Sequence, residues 1–288
     1  MIIKTSTIQL LRLPFSFFLL PVYLFALGQT VQTDWWMALL VFLILHLLVY
    51  PASNGYNSYM DRDQTPVGGL RHPLQPTRQL WSLVLGMDIL AVLLGWLVSG
   101  WFALGVLMYI LASRAYSSRQ IRLKKYPLTG FLVVVVCQGA LVFWLTYHGV
   151  DPRQPLEVPV TGCLASSLLI AGAYPLTQVY QHQADAADGV RTISMMAGTR
   201  GTFILSALLF NMAFLVLGLH FGLQLELDRF GVLLFCFMPV LVYFVLWTAK
   251  VWKDPAEASF DNLMRMNLLS SACSVIGFGI LVIWKLFD

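Results

Sequence analysis

The chain has 288 residues, of which 58% are apolar and 11% charged, with a mean hydropathy of +0.75 and a formal charge of +4. Soluble domains carry about a quarter charged residues, so a water-soluble enzyme is excluded and one integral membrane domain over residues 1–288 is expected. No basic patch interleaved with exposed aromatics supports nucleic-acid binding, and no nucleic-acid partner is expected. Cys137, Cys163, Cys236 and Cys273 lie scattered in apolar runs without CxxC spacing, which reads as buried packing and not as zinc or disulfide chemistry.

A spanning helix needs about 20 mainly apolar residues. Such runs fall at 10–28, 36–53, 80–98, 101–116, 128–148, 161–180, 202–222, 230–250 and 266–287, which predicts an all-α bundle of about nine transmembrane helices. The first run lacks a small-residue cleavage site and is expected to be a retained helix, not a signal peptide. The third and fourth runs are separated only by "VSGW", a tight turn.

With the N-terminus inside, Lys4, Arg12, Arg62, Arg71, Arg78, Arg114, Arg119, Arg122, Lys124, Lys125, Arg191, Arg200, Lys250, Lys253 and Arg265 fall on the cytoplasmic side. Only Arg153, Arg229 and Lys285 fall on the other. That bias predicts a multi-pass protein of a bacterial inner membrane with its N-terminus and acidic loops in the cytoplasm. The net charge is then a topology signal.

The same sorting gathers three polar stretches on one face: residues 52–73 after the second run, 113–127 after the fourth and 177–192 after the sixth. Asn57 and Asp61 are four apart and share a face if the helix continues. With Asp63 they offer hard oxygen ligands close together, and Asp185 and Asp188 offer a second pair. Mg²⁺ prefers such oxygens, keeps several waters and commonly completes its shell with substrate phosphate. Arg71, Arg122, Lys124, Lys125 and Arg191 supply positive charge to the same anion. Carboxylates beside basic residues therefore point to a metal-bridged polyphosphate. Plainer readings stand beside this one. Asp63 and Asp188 fit solvated helix caps, Arg122 to Lys125 fits a headgroup anchor, and Gly68 and Gly69 fit a simple turn. Asp88 and His46 lie inside apolar runs, where an ionisable group is either functional or held by a structural partner.

These stretches carry a family resemblance. "NSYMDRD" is similar to the first Asp-rich motif of the UbiA superfamily of membrane prenyltransferases, and "DAADGVRT" to the second, with Asp185, Gly189, Arg191 and Thr192 in the usual D-x-x-x-G-x-[KR]-T spacing. "AYSSRQIRLKKYPLTG" resembles the family's Tyr-Ser…Leu-Lys loop, and "LLRLPFSFFLLPVYLFALG" its opening helix. The resemblance covers essentially the whole chain. It implies a helical bundle whose central cavity is capped by the two acidic motifs, binding an isoprenyl diphosphate through Mg²⁺.

It also implies transfer of the prenyl group, through an allylic cation, to a small lipophilic or aromatic acceptor such as a quinone precursor. A terpene cyclase on the same scaffold is the alternative, and a transporter or inactive member a further one. Carried across by motif, Asn57, Asp61 and Asp185 are the expected catalytic residues. Asn57, Asp61, Asp63, Asp185 and Asp188 are the expected metal ligands, and Arg71, Arg122, Lys124, Arg191 and Gln181 the expected diphosphate contacts. Tyr56, Tyr59, Tyr116, Tyr174 and Tyr180 lie near helix ends, where aromatic faces would stabilise the cation. The chain departs from the family pattern at Thr65, Gln181 and Gln183, where carboxylates commonly stand. The second motif is thus expected to be poorer in charge.

Overall fold

A computed structural model describes residues 3–287 and is helical, with no strand among the described residues. Among the described residues seven helices are long and apolar enough to cross a membrane: α1 (Thr5–Gln29), α2 (Trp35–Asp61), α3 (Arg78–Val98), α5 (Pro127–Val150), α8 (Ile193–Leu223), α9 (Leu227–Lys253) and α10 (Phe260–Trp284). Helix α4 (Gly100–Ser117) and helix α6 (Val160–Leu176) occupy the expected fourth and sixth positions. At 1.5 Å per residue the latter is about 25 Å long, short of a hydrocarbon core of about 30 Å. Seven of the nine expected runs thus form helices that meet the length and composition of a span among the described residues. A one-turn-and-a-half helix, α7 (His182–Ala187), lies in the polar segment after α6.

Consecutive rods pack side by side, and α10 packs back onto α1 to close the bundle. Most helices outrun the apolar stretches. Helix α2 starts on Asp34, whose carboxylate accepts from the Trp36 and Met37 N–H groups at 2.9 and 3.1 Å. It then carries the polar residues 53–61 as further helical turns. Pro51 lacks an N–H and crowds the carbonyl four residues back, and the backbone just before it, Leu43–Val49, is a π-helical segment. A left-handed Arg62 (φ 54) ends the helix.

Helix α1 is interrupted by a left-handed Arg12 (φ 49) and restarts with Pro14 in its first turn. A single residue, Ser99, joins α3 to α4 and caps the latter through the Phe102 N–H at 2.9 Å, as the tight-turn reading expected.

Of the two ionisable residues inside apolar runs, Asp88 is ion-paired with Arg114 across α3 and α4. His46 is completely buried, stacked on Phe42 with a centroid distance of 4.6 Å and edge-on to Tyr50 at 5.0 Å. Arg153, Arg229 and Lys285 gather at the bundle end away from the three polar stretches, Lys285 capping the last turn of α1 through the Leu27 carbonyl at 3.2 Å.

A second π-helical segment, Val136–Leu141, brings α5 against α6. A Cβ on Gly139 would lie 2.4 Å from Ser167 Cα and 2.7 Å from its nitrogen, both backbone atoms. The Ser167 hydroxyl accepts from the Ala140 N–H at 3.0 Å across this contact. Gly139→Ala must push the two helices apart and is expected to destabilise the protein by about 1–3 kcal/mol. A thermal unfolding midpoint equal to wild type would contradict this. The contact matters because Cys137 and Gln138, on the same turn, face the central cavity.

Candidate active site

The three polar stretches meet at one end of the bundle, over a cavity of about 340 Å³ that runs down between α1, α2, α4, α5, α6 and α10. Asn57, Asp61 and Asp63 line it from one side, Gln181 and Asp185 from the other, and Lys124 stands between them. Its depth follows from helix geometry. Tyr50 lines it eleven residues below Asp61 on uninterrupted α-helix, or about 16 Å at 1.5 Å per residue.

Asp61 is held by two side chains through one oxygen. Asn57 Nδ2 donates to Asp61 Oδ2 at 2.7 Å, and Lys124 Nζ reaches the same oxygen at 2.5 Å. The Asn57 amide is itself held from two sides, giving a hydrogen bond to Ser117 Oγ at 3.1 Å and accepting one from Arg12 Nη2 at 3.2 Å. Asp61 Oδ1 is buried and has no hydrogen-bond partner among the described residues. A buried carboxylate oxygen left unpaired is costly, so the atom is poised for a cation from outside the chain.

The other two acids of the cavity are disfavoured as carboxylates by burial and by neighbouring negative charge. Burial pushes the Asp185 carboxyl up to about 6; the Lys124 ammonium pulls it down, while Asp61, Asp63 and Asp188 push it up. Burial also raises Asp63, reinforced by the charge of Asp61 and opposed by Lys124 and Arg12. Carboxylates that resist ionising beside one another gain most from an added cation. Among the described residues no three His, Cys, Asp or Glu side chains come close enough to hold a metal unaided. That suits a hard cation that keeps waters and leans on phosphate oxygens. The donor set therefore fits Mg²⁺ held jointly by protein and anion.

Several expected residues lie elsewhere. Arg71, expected on the anion, is outside the cavity and ion-paired with Asp261 of α10. Arg191 is exposed and does not line the cavity. Asp188, expected as a ligand, is outside it too, with Arg119 on one carboxylate oxygen and Arg122 on the other. Burial alone would raise the Asp188 carboxyl, but the Arg119 hydrogen bond and the charges of Arg122, Arg119 and Lys124 hold it below the ordinary range. Arg122 is thereby turned to Asp188. Gln181 lines the cavity, yet its amide donates to the Pro66 carbonyl at 3.1 Å. That bond ties down the strap of residues 62–77, and a carboxylate, which only accepts, could not make it.

Among the tyrosines, Tyr116, Tyr174 and Tyr180 line the cavity, the first two sharing a 2.5 Å hydroxyl contact. Tyr56 and Tyr59 instead pack on Trp81 outside it, with Arg114 4.1 Å above the Tyr56 ring.

One residue of the site escapes the motif-based reading. Arg12 is buried, lines the cavity, and donates to the Asn54 carbonyl at 3.1 Å and the Gly68 carbonyl at 3.4 Å as well as to Asn57. The left-handed turn in α1 is what aims it inward.

The sequence model of the UbiA prenyltransferase family matches residues 16–271. The chain belongs to the UbiA prenyltransferase family. A UbiA homolog from Archaeoglobus fulgidus, solved bound to DMAPP and Mg²⁺, superposes on this UbiA-family chain with a TM-score of 0.69 at 21% identity, covering 96% of this chain and 99% of that one. The apo structure of a UbiA homolog from Aeropyrum pernix K1 gives 0.70 at 17% identity, over 95% and 98%. Both are likenesses of fold. In sequence, the chain is 26% identical over 168 residues to the bacteriochlorophyll synthase 33 kDa chain of Cereibacter sphaeroides, covering 57% of this chain and 56% of that protein. The match thus spans about half the length of that curated relative.

Proposed function

We propose that the protein is a Mg²⁺-dependent membrane prenyltransferase. It would transfer an isoprenyl group from its diphosphate to a small lipophilic acceptor, an aromatic ring or quinone precursor. The observation that carries this reading is Asp61, whose unpaired buried oxygen stands beside Lys124 and Asp185 at the mouth of a tyrosine-walled cavity. Relatives support it: UbiA homolog structures from Archaeoglobus fulgidus are bound to DMAPP or GPP with Mg²⁺, and the sequence relative is a bacteriochlorophyll synthase. With the membrane-facing charge bias, the site would face the cytoplasm.

In this reading the carboxylates of Asp61, Asp63 and Asp185 would hold Mg²⁺ only jointly with diphosphate oxygens, and the ion would neutralise the charge that develops on the departing diphosphate. Lys124 and Arg12 add fixed positive charge at the same place, already oriented before the reaction. The bond between the allylic carbon and the diphosphate oxygen breaks, both electrons leaving with the oxygen. The faces of Tyr116, Tyr174 and Tyr180 stabilise the allylic cation by about 0.5–2 kcal/mol each and keep water away. The acceptor's electron pair then forms the new carbon–carbon or carbon–oxygen bond, and the acceptor loses a proton. Arg71, Arg191 and Asp188 take no direct part.

The test incubates detergent-purified protein with isoprenyl diphosphates of several lengths, with and without aromatic acceptors. Diphosphate release is expected only with Mg²⁺ and acceptor together, and is expected to stop on chelation. Release without acceptor, yielding cyclic hydrocarbon, would favour a cyclase instead. No release with any donor would end the enzyme reading.

A further inference from the structure

The cap contains a charge cluster that the proposed chemistry does not use. Arg119, in the connection between α4 and α5, does not line the cavity. Its Nε donates to the Met60 carbonyl at 2.9 Å and its Nη2 to the Asp61 carbonyl at 3.2 Å. Its Nη1 donates to Asp188 Oδ1 at 2.8 Å, and Arg122 takes the other oxygen of the same carboxylate. One guanidinium therefore grips the carboxyl end of the helix that carries Asp61 and the residue that ends the helix carrying Asp185.

We propose that Arg119 is a positioning residue: by joining the Asp61 peptide to Asp188 it fixes the separation of the two acidic halves, and with it the affinity of the site for a divalent cation. This rests on the metal-dependent reading above.

The chemistry of the contacts supports the assignment. The last carbonyls of a helix lack intrahelical partners and carry its negative pole, so a cation is well placed there. A planar fork reaches two backbone carbonyls and a carboxylate through three separate nitrogens; the ammonium of Lys, a single nitrogen, would need all three acceptors gathered around one point. The carbonyl that Arg119 holds belongs to Asp61 itself, so cutting the tie frees the very residue whose side chain faces the cavity. Both oxygens of Asp188 are engaged by arginines, which makes that carboxylate an anchor. The Arg119 and Asp188 side chains are 43% and 40% exposed, and ion pairs this exposed contribute little to stability. The contact is better suited to setting geometry than to holding the fold together.

The experiment uses full-length protein in detergent with Mn²⁺ as a paramagnetic probe and inorganic diphosphate as the companion anion. Arg119→Ala and Arg119→Lys are each expected to weaken Mn²⁺ binding about tenfold, the scale typical of losing an outer-shell partner. The unfolding midpoint without metal should stay at the wild-type value. Asp188→Asn should shift affinity in the same direction, and the Arg119→Ala/Asp188→Asn double variant should bind no more weakly than Arg119→Ala alone. At saturating Mg²⁺ the single variants should regain turnover within a few-fold of wild type. Unchanged Mn²⁺ affinity in Arg119→Ala, additive losses in the double variant, or a turnover loss that saturating Mg²⁺ does not restore would each overturn the proposal. Were Arg119→Ala not to fold, Arg119→Lys and Asp188→Asn carry the same comparison. Failure of the underlying reading looks different: the wild type itself would then bind no Mn²⁺ in the presence of diphosphate.

Discussion

Asp61→Asn is expected to lower prenyl transfer by about a hundred- to a thousandfold, the cost of removing one preorganised electrostatic partner of a transition state. Asn keeps the size of the side chain and an oxygen that can accept from Asn57 or Lys124, now 2.7 and 2.5 Å from Asp61 Oδ2. What it removes is the charge, and the amide it adds brings N–H donors toward Lys124, Arg12 or any bound cation. The loss should therefore show in two ways at once: a higher Mg²⁺ concentration for half-maximal rate, and a lower rate at saturation. Asp61→Glu retains the charge but reaches one carbon further, and should fall between the two. Activity within about fivefold of wild type in Asp61→Asn, at limiting Mg²⁺, would remove Asp61 from the centre of the site.

The placement of Asp61 beside Asn57 was legible in the sequence because it follows from local geometry. Four residues separate it from Asn57, and a helix that continues past its apolar run puts the two on one face. The structure supplies that continuation, since residues 53–61 are helical. The paired stretches around 61 and 185 were legible for the same reason: polar residues in a chain this apolar sort to one end, and three such loops at one end must meet.

Which cation takes which carboxylate was not legible, because it depends on contacts between distant segments. Arg71 is 190 positions from Asp261, and Arg119 is 69 from Asp188. No spacing rule connects such pairs. Gln181 looked like a lost ligand when set against the family pattern. Its bond to the Pro66 carbonyl gives the amide a use of its own, in holding the strap. The number of spans was legible only in part. Apolar runs mark where helices are, but α6 carries only 17 residues, and length bears on whether a rod alone can cross.

Arg12 is the sharpest omission, and its loss is the other large effect expected. Counted among cytoplasmic charges, it lies inside "LLRLPF", where a buried ionisable residue is functional by default; that signal was available and points to the same place. Arg12→Met leaves the carbonyls of Asn54 and Gly68 and the amide of Asn57 without their shared donor, and Asp61 and Asp63 without a buried cation beneath them.

Removing one side of a buried charged network costs about 3–5 kcal/mol. The unfolding midpoint should fall, and the 62–77 strap should become open to limited proteolysis. Transfer activity should drop at least a hundredfold. Two variants separate the causes. Arg12→Lys keeps the charge but loses the two separate nitrogens from which Arg12 reaches Gly68, Asn54 and Asn57, so it should hold more activity than Arg12→Met while leaving the strap cleavable. Arg12→Gly suits the left-handed backbone (φ 49) yet removes the cation, so it should be as inactive as Arg12→Met. If Arg12→Gly were as active as wild type, the residue would matter only for the turn it makes in α1. Asn57 would then owe its orientation to Ser117 and Asp61 alone.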